Sequence, residues 1–105
     1  MLVHGDLHSR HLLVDDAEHL VGVIDWGDAC LADPSVDLSI VWSFLPAEGR
    51  RVFADEYGPI DEETHLRARM LALHLAASIA YYAHVEGMTV LESEALEGLR
   101  RAVTH

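Results

Sequence analysis

The segment DEETHLRARMLALHLAASIAYYAHVEG, beginning at Asp61, constrains the fold more than any other stretch of the chain. Its acidic first turn complements the positive end of a helix dipole, and it predicts one long helix from about Asp61 to Val85. The apolar content is high enough to predict burial on most sides. A chain of 105 residues is one domain or a piece of one and has only a modest core. A helix of that length therefore sets where the rest must pack.

Three further helices follow from end signals. Asp33 is a good N-cap and Pro34 sits at the first helical position, predicting a helix to about Phe44 that stops before Pro46. A second opens at Pro46 and closes at Gly58. The last, TVLESEALEGLRRAV, reads as a capping box of Thr89 with Glu92, with apolar positions at Leu91, Leu96, Leu99 and Val103. Upstream, HLLV (11–14) and LVGVI (20–24) flank the polar DDAEH and predict a β-hairpin. The expected class is α+β and mainly helical, one hairpin followed by four helices, without repeats or a linker.

The formal charge of −11 excludes the clustered basic surface that nucleic acid or an anionic membrane would need, and it suits cationic substrates or metal ions. Cys30 is alone, so no internal disulfide forms and a reducing cytoplasmic setting is expected. No apolar run approaches the roughly 18 residues of a membrane span. MLVHGDLH lacks the basic start and long apolar stretch of a secretory leader.

HGDLHSRHLLVDD crowds ionisable side chains immediately ahead of a strand. In an antiparallel hairpin the start of the first strand lies beside the end of the second, which brings His11 next to DWGD at 25–28. Asp6, His8, His11, Asp25 and Asp28 are thus expected to converge at one end of the ribbon. Such a concentration of charge calls for a cation or a proton, and carboxylate oxygens suit Mg²⁺. The residues also allow a zinc hydrolase centred on His4, His8, His11 and Asp25, or a non-catalytic remnant acting as a binding module. The remaining candidates read more simply as structure. Trp26 and Trp42 are expected in the core, and Tyr81 and Tyr82 in packing. His65, His74 and His84 are spaced off one helical face, and Cys30 has no reactive signature.

HGDLHSRHLLVD followed by GVIDWGDACLADPSVDLS resembles the aminoglycoside phosphotransferase family, a branch of the kinase-like fold. The kinase pattern has a base Asp, a metal-binding side chain five residues later, and a second metal Asp opening an Asp-Phe-Gly-type turn. The resemblance makes Asp6 the base beside an acceptor hydroxyl, and Asp25 and His11 the ligands of Mg²⁺ (or Mn²⁺) on ATP or another nucleoside triphosphate. His8 and Asp28 would adjoin the acceptor. His4 would pack to fix the loop, Asp33 would cap a helix, and Asp37 would tie the loop down. The family usually has Asn where His11 stands. The implied reaction moves a γ-phosphate to a hydroxyl of a small molecule such as an aminoglycoside or macrolide.

The resemblance covers residues 3 to about 39. The Gly-rich loop and Lys of a nucleotide-covering lobe are not found ahead of HGD. The expectation is therefore that residues 1–105 form a single partial domain, the C-terminal lobe of such an enzyme, inactive by itself and with an apolar lobe-facing surface.

Overall fold

The computed structural model describes residues 1–104. Its order is β1 (Leu2–Val3), β2 (Leu12–Val14), β3 (Leu20–Val23), β4 (Cys30–Leu31), then α1 (Ser35–Ser43), α2 (Ala47–Tyr57), α3 (Glu62–Val85) and α4 (Thr89–Val103). The class is α+β, about 62% helical. The expected hairpin is present as antiparallel β2 and β3, with Leu12 opposite Val23. Asp15 builds its turn, since one carboxylate oxygen accepts the backbone N–H of both Ala17 and His19 at 2.9 Å. A second antiparallel pair, β1 with β4, sets Val3 opposite Cys30 and closes both ends of the motif region onto each other.

Helix α1 begins as expected. Pro34 has helical dihedrals, and Asp33 Oδ1 accepts the Ser35 N–H at 2.9 Å. That bond, with Arg67 nearby, holds the Asp33 carboxyl below the usual carboxylate range. Helix α2 ends at Gly58, whose φ of 103° is one that residues with a side chain rarely adopt. Asp61 caps α3 by accepting the Thr64 N–H at 2.7 Å.

The burial expected on most sides of α3 is not what the fold uses. The buried positions are Thr64 and a stripe of alanines, Ala68, Ala72, Ala76, Ala80 and Ala83, while Leu66, Met70, Leu75, Ile79, Tyr81 and Tyr82 are exposed. The reason lies in the partners, because methyl-sized side chains let helix axes come close. Helix α4 meets α3 with an equally small set, Ala95, Gly98 and Ala102. A Cβ on Gly98 would stand 3.3 Å from the Ser43 carbonyl, so the end of α1 abuts this face as well. The apolar set expected for α4 is only partly inside: Leu91 and Leu99 are half-buried, whereas Leu96 and Val103 are exposed.

The capping box is also corrected. Met88 is the N-cap of α4, Thr89 is already helical, and the Glu92 carboxylate lies 3.1 Å from His84 Nδ1 at the end of α3. The other end of α4 is closed by arginines. Arg50 donates to the carbonyls of Leu45 and Thr104 at 2.9 and 3.0 Å, and Arg69 to those of Ala102 and Val103 at 2.7 and 3.1 Å. Both guanidiniums lie within 5 Å of the Trp42 ring centroid, at 4.7 and 4.9 Å. Trp42 packs, as expected, against the core of Leu38, Val41 and Ala68. Trp26 does not: it is 54% exposed, because it sits on the loop and covers His4 instead.

Candidate functional site

One carboxylate fixes the HGD loop to the helical layer. Asp37, on the first turn of α1, accepts the His4 N–H with Oδ2 at 2.6 Å and the Gly5 N–H with Oδ1 at 3.0 Å. The tether expected of Asp37 is therefore present as a two-oxygen clamp. Gly5 is required by geometry: its φ is 92°, and a Cβ there would fall 2.4 Å from the Asp28 carbonyl oxygen. The two motifs thus touch backbone to backbone, which the glycine of HGD could have signalled.

His4 is buried, with both ring nitrogens engaged. Nε2 lies 2.8 Å from the Ile24 carbonyl, and Nδ1 accepts the Asp6 N–H at 3.2 Å. A carbonyl only accepts, so Nε2 carries the hydrogen and Nδ1 the lone pair. Trp26 packs against the ring in a tilted arrangement, with centroids 4.5 Å apart, and donates its own N–H to the Val23 carbonyl at 2.9 Å. His4 therefore shapes the loop, as expected, and the zinc set of His4, His8, His11 and Asp25 is corrected by the loss of its first member. What stands with His8 and His11 is Asp6, their ligand atoms all within 4.8 Å of one another.

His11 joins the two motifs. Its Nδ1 donates to the Asp6 carbonyl at 2.8 Å, and its Nε2 faces Asp25 Oδ2 at 3.1 Å. A backbone carbonyl on one ring nitrogen is the usual way a metal-ligating imidazole is oriented. His11 and Asp25 are close enough that the two would together hold a divalent ion such as Mg²⁺ or Mn²⁺. Asp25 reaches this place through a left-handed backbone, φ 62° and ψ 61°, as the residue that opens the DWGD turn.

Asp6 presents an exposed carboxylate, with no hydrogen bond or ion pair to it among the described residues, while its backbone is held at both ends. His8 packs against His11, the rings tilted and their centroids 3.8 Å apart. Burial and the neighbouring His11 hold the His8 imidazolium below the usual histidine range, against the opposing pull of Asp6 and Asp25. Four of the five expected residues thus share one end of the ribbon. Asp28 joins them through its carbonyl against Gly5, and its side chain is not among the metal-competent group. An ion pair that the sequence did not signal, Arg10 with Glu94 at 3.0 Å, links this loop to α4.

Residues 1–72 match the model of the phosphotransferase enzyme family. The uncharacterised protein YcbJ of Bacillus subtilis strain 168 is similar, 47% identical over 36 residues, which make up 34% of this chain and 12% of that protein. No solved structure matches. The family match takes in both acidic motifs and extends into α3, well over half of the residues, and so the chain belongs to the phosphotransferase enzyme family.

Proposed function

We propose that this chain is the acceptor-side, kinase-like lobe of a cytoplasmic enzyme that transfers the γ-phosphate of ATP, or another nucleoside triphosphate, to a hydroxyl of a small molecule. The observation behind this reading is His11, which binds the Asp6 loop with one ring nitrogen and faces Asp25 with the other. When bound, Mg²⁺ or Mn²⁺ would neutralise charge on the β- and γ-phosphates. Asp25 and His11 would hold that ion, and the carbonyl bond of His11 keeps its ring in place. Asp6 orients the acceptor hydroxyl and takes its proton as the new O–P bond forms and the nucleoside diphosphate leaves. His8 and Asp28 line the approach of the acceptor. The charge of −11 favours a cationic acceptor such as an aminoglycoside, with macrolides the next class to try.

A nucleotide-covering lobe with a Gly-rich loop and a Lys belongs to this reading as the other half of the intact enzyme. The exposed apolar residues Leu2, Leu13, Val14, Leu20, Val21 and Leu31 around the two small sheets give it a surface to dock on.

The test is radiolabelled γ-phosphate transfer to a panel of hydroxyl compounds, with this chain alone and co-expressed with a nucleotide lobe from the family. The chain alone should transfer little, and the pair should be active only with a divalent ion. Asp6→Asn should cut the rate by about 10²-fold or more while magnesium-dependent nucleotide binding persists. Asp25→Asn should lose that binding. Transfer that survives Asp6→Asn, or that needs no divalent ion, would overturn the assignment.

A further inference from the structure

The phosphotransfer reading uses Asp25 and His11 for a hard ion and leaves His8 without a ligand role. Yet the ligand atoms of Asp6, His8 and His11 lie within 4.8 Å of one another. Arg10 N–H donates to His8 Nδ1 at 3.3 Å, which leaves Nε2 as the open ring atom, with no protein partner among the described residues. His11 is oriented by the Asp6 carbonyl in the manner of a metal ligand. Two imidazoles and one carboxylate form a donor set that borderline transition ions prefer, whereas Mg²⁺ takes oxygen.

We infer that Asp6, His8 and His11 form a second metal site, selective for Zn²⁺ and similar first-row ions, that shares His11 with the magnesium position. A tetrahedral zinc site needs donor atoms about 3.3 Å apart at bonds near 2.0–2.1 Å. The Asp6 carboxylate is solvent-exposed and can turn about its own side-chain bonds to adjust its distance to the two imidazoles. Zinc bound here occupies the Asp6 carboxylate. If the phosphotransfer reading holds, zinc is therefore an inhibitor that removes the base. The site itself does not depend on that reading.

The experiment is titration of the full chain with Zn²⁺ against a chromophoric chelator, and with Co²⁺ followed by its visible absorption, which reports coordination geometry. One Zn²⁺ per chain should bind. Asp6→Asn and His8→Ala should each weaken it at least tenfold, Asp25→Asn by less than threefold, and far-UV circular dichroism should show all three variants folded. Equal affinity in wild type and His8→Ala, or loss in Asp25→Asn alone, would overturn the site. Because the measurement requires no turnover, it separates failure of this site from failure of the phosphotransfer reading.

Discussion

Asp37 Oδ2 lies 2.6 Å from the backbone nitrogen of His4, 33 positions earlier in the chain. The other oxygen takes the next N–H, that of Gly5, so a single side chain holds two consecutive peptide groups. The HGD loop is therefore mounted on α1 as well as on the small sheets, which are too short to be rigid by themselves.

Asp37→Ala would leave two part-buried N–H donors without acceptors. The expected loss is about 2–4 kcal/mol of stability, read from urea unfolding of the wild type and the variant. Asp37→Asn offers one acceptor oxygen and turns an NH₂ group toward the second N–H, so it should recover less than half of that loss. A loss below 1 kcal/mol for the alanine variant, on the same scale, would show that the loop is held elsewhere.

Gly5→Ala combines a disfavoured positive φ with overlap onto the Asp28 carbonyl. A cost of about 3 kcal/mol or more is expected, a large share of the stability of so small a domain. Thermal unfolding gives the measure. The same change at Gly58, where φ is also positive but nothing lies within 4 Å, should cost distinctly less, because strain acts there without collision.

The Asp61 carboxyl titrates below the ordinary aspartate value of about 4, chiefly because the backbone N–H of Thr64 bonds to its charged form. A carboxyl depressed on folding contributes stability above its unfolded value and loses it as pH falls through the folded one. Asp61→Ala should therefore lower the melting temperature at pH 7. The gap from wild type should narrow below about pH 4 and close once the wild-type carboxyl is protonated in both the folded and the unfolded chain. A gap independent of pH down to 2 would exclude the carboxylate as the source.

Arg50→Met keeps the apolar stem but removes the donors to the Leu45 and Thr104 carbonyls. The expected loss is about 1–2 kcal/mol. Hydrogen exchange should quicken in the last turn of α4 and change little in its first turn. Uniform quickening along α4 would mean that the helix is held as a whole by its small-residue face.

Most of the organisation was legible in the chain. Asp33-Pro34 wrote the start of α1, Pro46 and Gly58 bracketed α2, and the two apolar runs around DDAEH made the hairpin. These are local signals with local causes. The misses share a different origin, because each depends on a partner distant in sequence. Hydrophobicity counts Leu66, Met70 and Tyr81 above alanine, yet the close packing of α1 and α4 on α3 selects its alanines. Thr89 and Glu92 had the spacing of a capping box, but His84 from the preceding helix claimed the glutamate. At the site, residue identities were readable from HGD and DWGD. That His4 would be closed by two hydrogen bonds, and that Asp6 would stand with His8 and His11, required the fold.

The left-handed backbone at Asp25 has a consequence for anyone substituting it. Aspartate and asparagine tolerate that conformation far better than branched or bulky residues do. Position 25 is therefore specified twice, once by the bend the main chain makes and once by the anionic oxygen it delivers. Alanine or valine there would confound the two demands. Asparagine preserves the bend while discarding the charge, which makes it the one replacement whose phenotype reports on chemistry alone.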